Sequence, residues 1–171
     1  MNLPDYRPYL PREKRDPTTT ARGHTETRMQ GERPQGLFAA WRALFEKPLR
    51  GLTANGTVTP GLFALKPEGA PTAAVVDAVA VLMAALTPDQ KAAMHFPVDS
   101  EQWRNWQNTE LYVETHGLRL DEHPMDLRET VMDVVRASLS ARGYEMSRDV
   151  MRLNGFLGEL IGAPLVLGEW S

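Results

Sequence analysis

A mainly α fold, a bundle of about five helices with one small β-hairpin and an extended N-terminal arm, is what this sequence predicts. Apolar residues recur at three- and four-residue spacing through most of the chain, and helix-capping signatures precede several of those stretches. Alternating, strand-like patterns are nearly absent. The 171 residues and 19.1 kDa suit one hydrophobic core, and 42% hydrophobic with 24% charged residues is ordinary for a globular protein.

Residues 1–34 are predicted to form the arm. They hold five prolines, seven Lys or Arg, five Asp or Glu and few apolar side chains, too few to fill a core. The arm is expected to lie on the surface through Tyr6, Tyr9 and Leu10, and its removal to be tolerated. Residues 35–171 are expected to be the helical domain, the N-terminal part of a larger fold. Leu37, Phe38, Trp41, Leu44 and Phe45 make one apolar face ahead of Pro48, a short amphipathic helix. Asn55-Gly56, between Leu52-Thr53-Ala54 and Thr57-Val58-Thr59, is the hairpin signal.

Ala70 to Leu86 is the longest apolar run, interrupted by Pro71 and Asp77 and shorter than the roughly 20 residues that span a bilayer. It is predicted as a buried helix with Asp77 on its wetter side. Thr87-Pro88-Asp89-Gln90 starts another helix with a capping box and proline at its first position. Asp99-Ser100-Glu101-Gln102 repeats that logic before Trp103. Leu127, Val131, Val134, Val135 and Leu139 predict a helix over 126–142, with Gly143 as a left-handed cap. Ser147 is expected to cap the last helix, whose stripe is Val150, Leu153, Leu157, Leu160 and Ile161.

The chemistry that the sequence excludes is clearer than the chemistry it offers. A formal charge of -3 provides no basic field for a phosphate backbone, so no nucleic-acid partner is expected. The absence of cysteine removes disulfides, thiolate nucleophiles and cysteine-rich metal sites. No apolar stretch follows the early Arg and Lys residues as in a secretory signal, so the cytoplasm is the default compartment and no membrane is expected. His24, His95, His116 and His123 lack the helical spacing of a zinc hydrolase motif, although a loop drawing His116 and His123 together with Asp121 or Glu122 would offer ligands. No metal ligand is assigned, and no catalytic residue.

Trp103, Arg104, Trp106 and Asn108 form the densest constellation. On a helix Trp103 and Trp106 share one face, while Arg104 and Asn108 share another. That is an aromatic platform beside a guanidinium and an amide, suited to a sugar, an aromatic or a carboxylate, or else two core tryptophans beside a helix-end amide. Asn154 interrupts the last helical stripe and is a further ligand-binding candidate, or the hub of a structural polar network. Gly155, Gly158 and Gly162 share that helix, where only close backbone approach offsets their helix cost.

Leu165-Val166-Leu167 reads as the start of a strand and, with Trp170, as an uncovered apolar edge. The edge is expected to dock a C-terminal half or a partner protein, or to drive self-association.

Several ordered motifs carry a resemblance. They are Gly51-Leu52-Thr53-Ala54-Asn55-Gly56, Pro60-Gly61-Leu62-Phe63, Trp103-Arg104-Asn105-Trp106-Gln107-Asn108, the stretch Arg136 to Tyr144, the stretch Arg148 to Asn154, and Gly168-Glu169-Trp170. Through them the chain resembles the bacterial and fungal family called domain of unknown function 3500, from about residue 37 onward. The resemblance implies a second half after Gly-Glu-Trp, rich in Gly and Trp and carrying a Gly-His-His pair, which this chain does not show. The expectation from it is the helical portion of a metal-dependent hydrolase-like enzyme whose catalytic half lies elsewhere. The alternatives are a noncatalytic helical interaction module and a small-molecule binding protein using the tryptophans.

Overall fold

A computed structural model describes residues 15–47, 53–54, 57–61, 66, 69–70, 72–98, 100–105 and 111–171, and these are mainly helical. Six helices run in the order α1 (Ala21–Arg28), α2 (Glu32–Phe45), α3 (Ala73–Ala85), α4 (Pro88–Met94), α5 (Met125–Ser138) and α6 (Ala141–Ile161). Between α2 and α3, β1 (Thr53–Ala54) and β2 (Thr57–Val58) pair antiparallel, with Thr53 opposite Val58. The ribbon is two residues per strand, and the Asn55-Gly56 turn lies outside the described residues.

The core sits where α3 runs along α5, the most extensive helix pair. Leu82 and Leu86 from α3 and the residue after it meet Leu127 of α5, with Met83, Met94, Leu118, Val131 and Val134 packed around them. Each faces inward for the reason the sequence indicates: Leu127, Val131 and Val134 recur at helical spacing on one side of α5. Beside this core, α4 starts as its sequence predicts. Gln90 N–H donates to the Thr87 hydroxyl at 3.2 Å, and Thr87 N–H donates to the Gln90 side chain at 2.9 Å.

Two expectations fail over α3 and the N-terminal region. Of α3 only Leu82 is buried; Val76, Val79 and Val81 are exposed along with Asp77, because its neighbours, chiefly α5, cover one side of a helix that is apolar all round. The extended arm does not reach residue 34, since α1 and the start of α2 lie within it. Local polar bonds supply what a small apolar content does not. Thr20 caps α1 by accepting from Gly23 N–H at 3.1 Å, and the Asp16 carboxylate accepts from both the amide and the hydroxyl of Thr18.

Residues 15–34 are also tied to distant chain. Arg15 N–H donates to Ile161 C=O at 2.8 Å, at the end of α6. The Arg22 guanidinium lies 4.9 Å from the Tyr112 ring centre, and the buried Thr25 hydroxyl accepts from Tyr112 N–H at 2.6 Å. Thr25→Val is therefore expected to lower stability by about 1 to 3 kcal/mol, because the isosteric side chain leaves a half-buried amide unpaired. The urea midpoint reads this, and an unchanged midpoint would mean that water replaces the hydroxyl.

The boundary between α5 and α6 also differs from the expected one. Leu139 leaves the helical region at φ -119°, ψ 160°, and Ser140, not Gly143, marks the junction. The Ser140 hydroxyl accepts from Gly143 N–H at 3.1 Å, so α6 begins at Ala141. Ser147, expected as the cap, instead lies within the helix and donates to Gly143 C=O at 2.9 Å. The left-handed glycine is Gly162, at φ 72°, where α6 ends.

Candidate functional site

Two places gather polar or aromatic groups of the kind that binding requires. The first lies beyond the C-terminal end of α4. Glu101–Arg104 is a single 3-10 turn, not the expected α-helix: the Ser100 side chain makes no capping bond, and the chain leaves helical geometry at Asn105. The Asn105 amide donates instead to the Glu114 carboxylate at 2.8 Å. Trp103 is 63% exposed, yet its ring is held by an Nε1–H bond of 2.9 Å to Pro97 C=O. Beside it Phe96 and His116 meet edge to face, 6.1 Å between centres, and Gly117 N–H donates to Ala93 C=O. Together with Met94 and Gln102 these residues line a cleft of about 300 Å³.

The second place is the C-terminal turn, residues 163–171, folded back onto α5 and α6. Ala163 and Val166 are buried with Ile161, and Leu167 packs against them. Two guanidinium groups lie over the Trp170 ring, Arg148 at 4.8 Å and Arg128 at 5.6 Å from its centre. Arg148 also forms a 3.0 Å ion pair with Glu169, and the Asn154 amide donates to Gly168 C=O at 2.8 Å and to the Ser171 hydroxyl at 3.0 Å. Asp121 N–H donates to Trp170 C=O, while Arg119 holds the Asp121 carboxylate and donates to Leu165 C=O. Arg128 donates to the carbonyls of His123 and Asp121.

Chemically, this second cluster is a clasp. Its three arginines point at carboxylates, carbonyls and one indole of the same chain, which fixes the turn. Asn154 accordingly takes part in a polar network. Asn154→Leu is expected to cost about 1 to 3 kcal/mol by removing the two bonds that tie Gly168 C=O and the Ser171 hydroxyl to α6, which then keep only their bonds to each other, measured as a fall in the thermal or urea midpoint.

Of the constellation Trp103, Arg104, Trp106 and Asn108, the first two lie in the 3-10 turn, which stops at Arg104. Trp106, Asn108 and the Arg104 side chain lie outside the described residues. His116 packs on Phe96, whereas His123 Nδ1 lies 3.5 Å from the Gln90 amide, so the two imidazoles serve different neighbours. Among the described residues no three His, Asp or Glu side chains are grouped to hold a metal ion, and no helix is long and apolar enough to cross a membrane.

The uncovered C-terminal edge is corrected as well: Val166 is 4% exposed and Trp170 is clasped, because the chain turns back on α6 where no strand forms. Only Leu165 of that set stays exposed.

Sequence reasoning missed Phe96, Gln102 and His116 around Trp103, and Arg128 and Arg148 around Trp170. For the second group a signal existed. The stretches Arg148 to Asn154 and Gly168-Glu169-Trp170 both belong to the quoted motifs, and they meet in space.

A helical protein with a clasped C-terminal turn and a small aromatic cleft is the class these features define. The chain matches the family described as protein of unknown function, DUF3500, over residues 68–170, more than half its length, and it belongs to that family. The match contains α3 to α6, the clasp and the cleft. No match was found among curated proteins or solved structures.

Proposed function

We propose that the chain is a helical docking module whose α6 receives a second body of polypeptide, the Gly- and Trp-rich half that the family resemblance implies. The observation that carries this reading is a stripe on α6. Met146, Val150, Leu153 and Leu157 follow one another at four- and three-residue spacing on one face and are 42 to 65% exposed. The C-terminal turn occupies the side that carries Asn154, Gly155 and Gly158, so it does not cover the stripe.

Covering what remains exposed of these side chains removes further apolar surface from water, at roughly 25 cal/mol per Å², and so favours association. In this reading metal-dependent hydrolysis, the activity expected from the Gly-His-His pair, belongs to the second body.

The test is to co-express this chain with the second half of a longer family member as a separate polypeptide. A one-to-one complex is expected in size-exclusion chromatography with light scattering. It should disappear in the Val150→Lys, Leu153→Lys variant while helical circular dichroism persists. A chain that pairs with itself through α6, or ignores the second half, would refute the proposal.

A further inference from the structure

The cleft at the end of α4 has walls and polar groups that the docking reading does not use. Phe96, His116 and the Trp103 indole are three rings around one opening, with the Met94 thioether as a fourth soft, polarizable wall. Trp103 is both exposed and immobilised: its Nε1–H is bound to Pro97 C=O, so the ring presents a surface without spending its polar atom on a ligand. The mouth is kept clear at Gly117, whose φ of +89° suits glycine and where a Cβ would meet nothing within 4 Å. The Gly117 N–H to Ala93 C=O bond ties that loop to α4.

Two polar side chains on the lining make no hydrogen bond among the described residues, the Gln102 amide and the His116 imidazole. An apolar site with a few polar groups is the usual composition of a small-molecule site, and about 300 Å³ is at the small end of that range. The geometry points to a binding site for one planar aromatic ring carrying a hydroxyl, a phenol-type ligand. Its ring packs against Trp103 and Phe96, and its hydroxyl hydrogen-bonds Gln102 or His116. An aliphatic ring of the same size matches the volume but not the ring faces, and a bare aromatic leaves both polar groups unanswered.

The test is a titration of the ¹⁵N-labelled chain with p-cresol, followed at the Trp103 indole N–H and the Gly117 amide. Saturable shifts of both are expected, with affinity about tenfold weaker for toluene and weaker again for cyclohexanol. Trp103→Ala, which alters an exposed side chain, is expected to reduce p-cresol affinity about tenfold, read at Gly117. Gln102→Leu and His116→Leu together should abolish the preference for p-cresol over toluene while toluene still binds. The absence of a saturable shift, cyclohexanol binding as tightly as p-cresol, or an unchanged affinity in Trp103→Ala would overturn the proposal. A p-cresol preference that survives the double replacement would overturn its polar part.

Discussion

Gly158→Ala is expected to be the most damaging single-methyl change in the chain, lowering stability by about 3 kcal/mol or more. Gly158 is buried on the face of α6 that receives the C-terminal turn. A Cβ there would overlap the Leu167 carbonyl oxygen and stand 2.9 Å from its carbon, with Ala163 C=O at 3.3 Å. All of these atoms are backbone, so no rotamer change relieves the clash. The turn must move, and with it Val166, Gly168 and the clasp on Trp170. Gly36→Ala is the control: it lies within α2, a Cβ meets nothing within 4 Å, and alanine should stabilise by roughly 0.4 to 1 kcal/mol. Urea denaturation of the two variants beside the parent decides the matter. Equal midpoints for Gly158→Ala and the parent would mean that the turn does not sit against α6 as described.

Arg148→Ala is expected to cost about 2 kcal/mol. The side chain is 18% exposed and does two things at once, pairing with Glu169 and covering the Trp170 ring. Its Nη1 is buried without a partner, so Glu169 and the indole account for its hold. The ion pair is partly exposed and contributes the smaller share, whereas the stacked guanidinium excludes water from the indole. Arg148→Lys should therefore recover less than half of the loss, since an ammonium keeps the charge but not the planar surface. The urea midpoint gives the size of the effect, and quenching of Trp170 by iodide gives its cause: the ring should become more accessible in Arg148→Ala. A double-mutant cycle with Trp170→Ala should return a coupling of about 0.5 to 1 kcal/mol. Zero coupling would reduce the stack to mere proximity.

Much of the helical architecture was legible because its signals are local. The capping box at Thr87 and Gln90 needs only four residues to specify where α4 starts, and the α5 stripe at Leu127, Val131 and Val134 reads directly as a buried side. The same logic misplaced the start of α6, because Ser140 and Ser147 are both competent caps by sequence. The extended backbone at Leu139 decides for Ser140. It also read the arm too far, since composition counts apolar residues and cannot see that Thr25 and Arg22 find partners at Tyr112.

The candidate site was legible only in fragments. Trp103 was identified from the density of aromatics, but its partners Phe96 and His116 lie on the segments flanking it, and nothing in their spacing announces the cleft. Asn154 stands out in the sequence as a polar interruption of an apolar stripe; that it reaches Gly168 and Ser171 depends on the chain reversing after Gly162.

By itself the sequence determined the helical class, the family and the main apolar faces, because periodicity, capping and motif order are properties of neighbouring residues. Only the tertiary structure decided which faces are covered. Apolar stripes on α3 and α6 look alike in sequence to the one on α5, yet Leu127 is buried while Val76, Val150 and Leu153 face outward. The physical reason is that burial belongs to pairs of surfaces: a stripe states that a helix has something to bury, and only the path of the rest of the chain brings, or fails to bring, the surface that buries it.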